Sequence, residues 1–439
     1  MGTPLSLADV TVVTGDRDGT ILPARTVLVG SSGTIERVGP AAEVPVPTGY
    51  RRIDSAGRFL LPGLINAHAH LFSDGKPLPP VLLSDRAEKA VTAFFRSPLG
   101  KRYLKARTKN AVLTQLKTGV TTIRSLGDAG YEGVRVAGEI EAGDYLGPRL
   151  LVSGPLLAVS GGHGVPQIAL VSDNPWDARR NVRIHLRHGV RAIKISATGG
   201  VTDARTIGEA GRPQMTEEEM HAICAEAHNA GVLVAAHAQS KEGILAALRA
   251  GVDTIEHGAT LTEEIIDLFG DNPQALHGRS ALIPTLQACL PLVRLDTSTT
   301  GITAVNKANA EIVLAEMLSG LRSAVENDVQ IGMGTDSALT YVTHYNTWRE
   351  LDYLIRYGGL SPAKTLHAAT QANAELLGLR HVTGAVEEGL SADLLLTDSD
   401  PLQDVRTLSA PRAVIARGQL VDDLVVETFD EIDAALEQI

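Results

Sequence analysis

Through the middle of the chain, short runs of apolar and β-branched residues alternate with stretches whose apolar positions recur every three or four residues. That alternation is the pattern of strand and helix units that build a parallel sheet. Eight runs predict strands at about 64–70, 120–126, 149–153, 190–196, 231–237, 252–257, 281–286 and 329–335. Helix signals fill the gaps between them. Thr216-Glu217-Glu218-Glu219 is a capping box ahead of 220–230, Ser240 opens a helix that Gly251 can close, and Ser361-Pro362 starts one that ends near Gly378. Eight strands with interposed helices predict an α/β fold, a (β/α)8 TIM-type barrel over 59–383, whose chemistry belongs at the C-terminal ends of the strands.

The two ends of the chain read differently. Residues 1–58 and 384–425 are rich in short strand patterns broken by turns such as Ser32-Gly33 and Arg417-Gly418, which predicts one small β-sandwich domain built from both termini. Residues 426–439 form an acidic terminal helix in this reading.

Against that frame, the residues that close the strands carry the chemistry. His68-Ala69-His70 ends the first apolar run, and residues two apart on a strand share a face, so both imidazoles can hold one metal ion. Lys194, His237, His257 and Asp336 each close a later apolar segment. Five independent strand ends carrying ligand-type residues point to a metal centre and to an enzyme.

Composition narrows the partners. A formal net charge of -11 argues against nucleic acid or an anionic membrane, both of which need a basic face, and favours a small-molecule or short-peptide substrate. The 2 cysteines, Cys224 and Cys289, are too few for a disulfide framework. With no leader or membrane-spanning pattern read at the start of the chain, a cytoplasmic location is expected.

The pattern Pro62-Gly63-Leu64-Ile65-Asn66-Ala67-His68-Ala69-His70, the strand lysine, the two later strand histidines and Gly334-Thr335-Asp336 resemble the metal-dependent amidohydrolase superfamily. Gly119-Val120-Thr121-Thr122-Ile123-Arg124, Gly161-Gly162-His163-Gly164 and Ala392-Asp393-Leu394-Leu395-Leu396 are similar to its branch of prolidase-like dipeptidases and carboxypeptidases and ochratoxin-hydrolysing amidases. The resemblance implies two divalent metal ions, most often zinc, one held by His68, His70 and Asp336 and the other by His237 and His257. Lys194 would bridge them as a carbamate formed with carbon dioxide.

It also implies a water activated between the metals that attacks an amide carbonyl, with Asp336 handling the protons and His163 hydrogen-bonding the scissile carbonyl. The substrate would be an N-acyl amino acid, a dipeptide or an ochratoxin-type amide, and the protein a homo-oligomer. A cyclic amidase or deaminase on the same barrel, and a catalytically inactive scaffold, are the alternatives.

Tyr341, His344 and Asn346, on the loop after the last strand, and Arg124, ending the second, are further candidates for substrate contact. Gln239 and Ser125 stand where the branch often carries tyrosine and aspartate, which leaves the group that would grip a substrate carboxylate unassigned. The stretch 73–108, with Leu78-Pro79-Pro80-Val81-Leu82-Leu83 and Ala93-Phe94-Phe95, reads as an apolar lid. His185, His188, His221 and His228 lie on helical stretches among charged neighbours and are expected in solvent.

Overall fold

The computed structural model describes residues 2–77 and 85–439, and it joins two units through one stretch of extended chain. Phe59–Pro62 belongs to a sheet built from both termini, and after Gly63 the chain continues as the first barrel strand, Leu64–Ala69. A side chain at Gly63 would meet Thr121 of the neighbouring strand at 2.3 Å, so the crossing depends on the missing Cβ.

The barrel strands follow in chain order: Val120–Ser125, Arg149–Val152, Ala192–Ser196, Leu233–Ala238, Thr254–His257 and Ala281–Ile283. Neighbours pair in parallel, and the third strand reaches the fourth through Arg191 N donating to Val152 O at 2.8 Å. Their apolar side chains pack outward against the helix layer. Ile193, Ile195, Val234 and Ile255 share one buried cluster with Val182, Ile223, Ile244 and Ile265 from the surrounding helices.

The expected eighth strand is barely a strand. Only the isolated bridges Leu282–Ile331 and Ala69–Ser337 mark it, and single bonds such as Ala67 N to Met333 O (3.0 Å) and Asp336 N to His68 O (2.8 Å) close the barrel. Gly332 and Gly334 explain this. A Cβ on Gly334 would lie 2.6 Å from the Cβ of His68, and one on Gly332 would lie 2.3 Å from Asn373 Oδ1. The segment therefore presses closer to its neighbours than a pleated strand with side chains could. Asn373 Nδ2 takes up carbonyls of Ile65 (2.6 Å) and Met333 (2.7 Å).

Helix signals hold locally. Thr216 and Glu219 form the reciprocal capping box of Glu217–His228, and Ser240 caps Lys241–Arg249. The helix expected from Ser361 to Gly378 is two, Pro362–Ala368 and Gln371–Leu376. They are separated at Thr370, whose backbone is non-helical (φ -132, ψ -96) and whose hydroxyl donates to Leu366 O.

The terminal unit is one eight-stranded sheet in the order Gln419–Leu420, Ala413–Ala416, Leu394–Thr397, Phe59–Pro62, Leu5–Val13, Ile21–Val29 and Ile35–Pro40, with Arg51–Ile53 also paired to Leu5–Val13. Leu7, Val12, Val27, Leu60, Leu394 and Ile415 form its own core. Arg417 and Gly418 both take positive φ (51 and 76), as a tight hairpin turn of this twist requires. Asp393 fastens the sheet to the barrel, accepting from Arg417 N at 2.7 Å and from Arg149 of the third barrel strand at 3.3 Å.

After the first barrel strand, 85–117 is helical rather than irregular: Asp85–Arg96 is followed by Pro98–Lys117. Residues 78–83 of the proposed apolar wall lie outside the described residues. The terminal helix is Asp430–Leu436.

Candidate metal centre

At the C-terminal mouth of the barrel, residues from separate strands form one buried ring. His68, His257 and Asp336 bring a nitrogen or oxygen each within 4.8 Å of one another. His70 Nε2 lies 3.0 Å and His68 Nε2 3.2 Å from the same Asp336 oxygen, Oδ1, and His257 Nδ1 lies 3.9 Å from Oδ2. The His237 ring stands 4.5 Å from that of His257. Lys194, on the fourth strand, is buried beside them and feels the charges of Asp336 and Glu256.

Two ligand positions depend on unusual backbone. Strict alternation would put Glu256 inside with Thr254 and send His257 outward with Ile255. His257 instead takes φ 71, and Asp336 takes φ 58. Left-handed backbone at non-glycine residues costs of order 1–3 kcal/mol each and persists where the surroundings impose it, typically at functional sites.

Proton bookkeeping shows what the ring lacks. His68 Nδ1 faces the Glu256 carboxylate at 2.6 Å and His70 Nδ1 faces the Gly127 carbonyl at 2.8 Å, both pure acceptors, so each Nδ1 carries the proton. In that tautomer each ring turns its Nε2 lone pair toward Asp336 Oδ1, itself an acceptor. His68 Nε2, Asp336 Oδ1 and Lys194 Nζ are all buried without a hydrogen-bond partner. Each such orphan costs about 1–3 kcal/mol, a large fraction of a total stability of roughly 5–15 kcal/mol. Converging lone pairs on neutral imidazoles and a carboxylate are the donor set of a divalent cation, so the residues present fit a metal ion.

Burial pushes the Lys194 amine down to about 8, against the upward pull of Glu256 and Asp336. Roughly a tenth of the amine is therefore neutral at pH 7, far more than for an exposed lysine.

Glu256 is the supporting residue that sequence reasoning missed. It is fully buried, accepts from Thr254 Oγ1 at 2.5 Å and pairs with Arg124 at 3.0 Å while holding His68. Burial alone would raise its carboxyl, yet Arg124 and His68 outweigh that and hold it ionised. Its position two residues after Thr254 on an inward-facing strand was the available signal.

Arg124, expected near substrate, lies beneath this pair instead. Its side chain has no exposed surface, and its donors are taken by Ala67 O (2.6 Å), Thr254 Oγ1 (3.1 Å) and Glu256. The loop after Asp336 is likewise committed to protein. Tyr341 Oη donates to Thr299 O at 3.0 Å, and His344 Nε2 meets Ser73 O at 2.7 Å while its Nδ1 faces Gln115. Asn346 Nδ2 donates to Asp433 of the terminal helix at 2.8 Å. Backbone carbonyls and a distant carboxylate fill these groups because the loop packs between the first-strand loop and that helix.

His163, on the loop after the third strand, does reach the ring: it stacks on His237 with centroids 4.2 Å apart, and its Nδ1 contacts Asp203. Among the helical histidines, His188 and His221 are exposed, but His185 is buried between Tyr131 Oη (2.9 Å) and Pro155 O (2.7 Å). His228 is half-buried against Asp253 at 2.9 Å.

The profile of the amidohydrolase family matches residues 59–421, nearly all of the barrel and its return into the sheet. The ochratoxinase of Aspergillus niger is 28% identical over 415 residues, covering 88% of this chain and 80% of that protein. A provisionally assigned prolidase from Bifidobacterium longum superposes with a TM-score of 0.88 at 48% identity, covering 99% of this chain and 98% of the other. A Xaa-Pro dipeptidase solved with methionine in its active site superposes at 0.81 with 25% identity, over 96% of this chain and 100% of its own. The barrel with its added terminal sheet, the ring of ligand-type side chains at its mouth and these likenesses agree: the chain belongs to the amidohydrolase family and is a hydrolase.

Proposed function

We propose that this protein is a binuclear metal-dependent hydrolase that cleaves a peptide-like amide bond in an N-acyl amino acid, a dipeptide or an ochratoxin-type substrate. One observation carries the reading: buried His68 Nε2, Asp336 Oδ1 and Lys194 Nζ make no hydrogen bond, and His68 and Asp336 lie where His70 and His257 also turn ligand atoms, with the His237 ring 4.5 Å from that of His257. The activities named for the Aspergillus ochratoxinase and the Xaa-Pro dipeptidase are both amide cleavages, which supports the bond type.

His68, His70 and Asp336 would hold one ion and His237 and His257 the other, and a nitrogen-rich set of this kind favours zinc. Such a pair supplies an ionised water near neutral pH and polarises the carbonyl under attack. Lys194 would take part after its neutral amine adds carbon dioxide, forming the N–C bond of a carbamate and releasing one proton. Asp336 receives the proton given up as water attacks and delivers it to the departing amide nitrogen. His163 hydrogen-bonds the scissile carbonyl and stabilises the charge that builds there. Glu256 and Arg124 keep His68 in the tautomer that presents Nε2.

Both cysteines are buried free thiols, which supports work in a reducing compartment such as the cytoplasm. Among the described residues no helix is long and apolar enough to cross a membrane. The homo-oligomer rests on the family resemblance, and sedimentation would measure it.

The test is hydrolysis by zinc-loaded protein of a panel of N-acyl amino acids, dipeptides and ochratoxin A, with metal content and the intact mass of Lys194 peptides measured in parallel. Amide cleavage with two metal equivalents supports the reading. One equivalent with ammonia release from a cyclic amidine, or no metal under any loading, overturns it.

A further inference from the structure

We infer that Asp203 is the positioning residue for His163, fixing its ring and engaging Nδ1 so that Nε2 is the atom presented to substrate. The inference rests on the hydrolase reading above and names a residue to which that reading gives no role.

The loop after the fourth strand and the end of the fifth strand converge on this one imidazole. Its Nδ1 contacts Asp203 Oδ2. Its face stacks on His237, centroids 4.2 Å apart and planes 27° from parallel. Its Nδ1 and Cε1 back onto Gly200, where a Cβ would fall 2.5 Å from both atoms. The backbone is pinned as well: His163 N donates to Gln214 Oε1 at 3.0 Å, and Gly164 N donates to the same Asp203 oxygen at 3.2 Å. Any residue but glycine at 200 would push the ring off His237.

With a carboxylate on Nδ1, that nitrogen is the one that carries a proton. The nitrogen across the ring remains for another partner, and the side chain keeps 19% of its surface open. Stability gives no sufficient reason for the arrangement. Asp203 is 45% exposed, and ion pairs of that exposure contribute little to stability. A partly exposed pair aimed at one nitrogen, on a ring that stacks against a metal-ligand candidate, serves orientation instead, as carboxylates do behind catalytic and metal-bound histidines.

The test is a cycle of Asp203→Asn, His163→Gln and the double variant in zinc-loaded full-length protein, on whichever amide of the panel is cleaved fastest. We expect Asp203→Asn to lower kcat on the order of tenfold to a hundredfold, with KM and metal content near wild type. Asp203→Glu should recover most of the loss. In the His163→Gln background the Asp203 change should cost nothing further, because the two act as one unit.

A wild-type kcat in Asp203→Asn, or an equal loss with and without His163, overturns the proposal. Should the wild-type protein cleave no amide, the hydrolase reading falls, but the pairing is still decided by NMR. A downfield imidazole N–H resonance, absent in His163→Gln and lost or shifted in Asp203→Asn, supports it. A signal unmoved by Asp203→Asn overturns it.

Discussion

Two polar regions sit side by side at the barrel mouth, and they differ in what their buried groups touch. In the ring, His68 Nε2, Asp336 Oδ1 and Lys194 Nζ make no hydrogen bond. In the loop that follows, Tyr341, His344 and Asn346 are each engaged by another part of the chain. Both regions are polar, buried and at strand C-termini, the place where barrel chemistry resides. Satisfaction separates them: the loop's groups are paired within the chain, whereas the ring's converging nitrogen and oxygen atoms fit the donor set of a cation.

The comparison can be broken or sharpened by substitution. The largest effect belongs to Asp336→Asn, which keeps the shape and removes both the charge and the proton carrier. We expect kcat to fall on the order of a thousandfold or more, with loss of metal measured by elemental analysis. An active, metal-replete variant would erase the distinction between the two regions.

His185 extends the test to a satisfied histidine outside the ring. Burial lowers it from 6.5 to about 4, so the unfolded chain takes up a proton that the folded chain refuses. Its neutral form therefore favours folding fully above pH 6.5, and that contribution is lost progressively as pH falls toward 4, on the order of 3 kcal/mol. Urea unfolding of wild type and His185→Gln between pH 8 and 4.5 measures the difference, and parallel pH slopes would refute it.

Glu256→Gln is a smaller perturbation, predicted to weaken metal binding or activity on the order of tenfold to a hundredfold. Because it also leaves Arg124 buried and unpaired, the variant should unfold more readily, and Glu256→Gln with Arg124→Met separates that loss from the effect on His68. Smallest is Asn346→Ala. It removes the bond to Asp433, costing about 1–2 kcal/mol in stability, read as a lower Tm, while kcat/KM stays within about twofold. A collapse of kcat/KM without loss of stability would return Asn346 to the substrate.

The ligand-type residues were visible before folding because a metal needs particular atoms, and a barrel offers them only at strand ends. His68, His70, Lys194, His237, His257 and Asp336 each followed an apolar run, so the one-dimensional pattern already encoded the ring. The inward face of Glu256 could be read from its place two residues after Thr254, but not that it meets His68, and nothing in the neighbours of Asp203 says that it meets His163. The left-handed turns that aim His257 and Asp336 were hidden too, because neither residue is of the type that favours that conformation.

The loop after Asp336 has partners that its sequence did not show. Polar residues at a strand end announce that they need partners, and only the folded chain reveals that Asp433, Ser73 and Thr299 supply them. His185 was read as exposed from its charged neighbours, but on a helix the residues beside it in sequence point elsewhere.

The glycine at position 63 turns two architectural units into a single lever. Because the sheet strand Phe59–Pro62 runs without a loop into the strand that carries His68, any tremor in that sheet is transmitted to the first imidazole within a few residues. An engineer seeking a smaller catalyst could not simply trim the barrel free of its attached sheet. The cut would fall on the rod that sets the height of His68, and a replacement brace would have to be built there first.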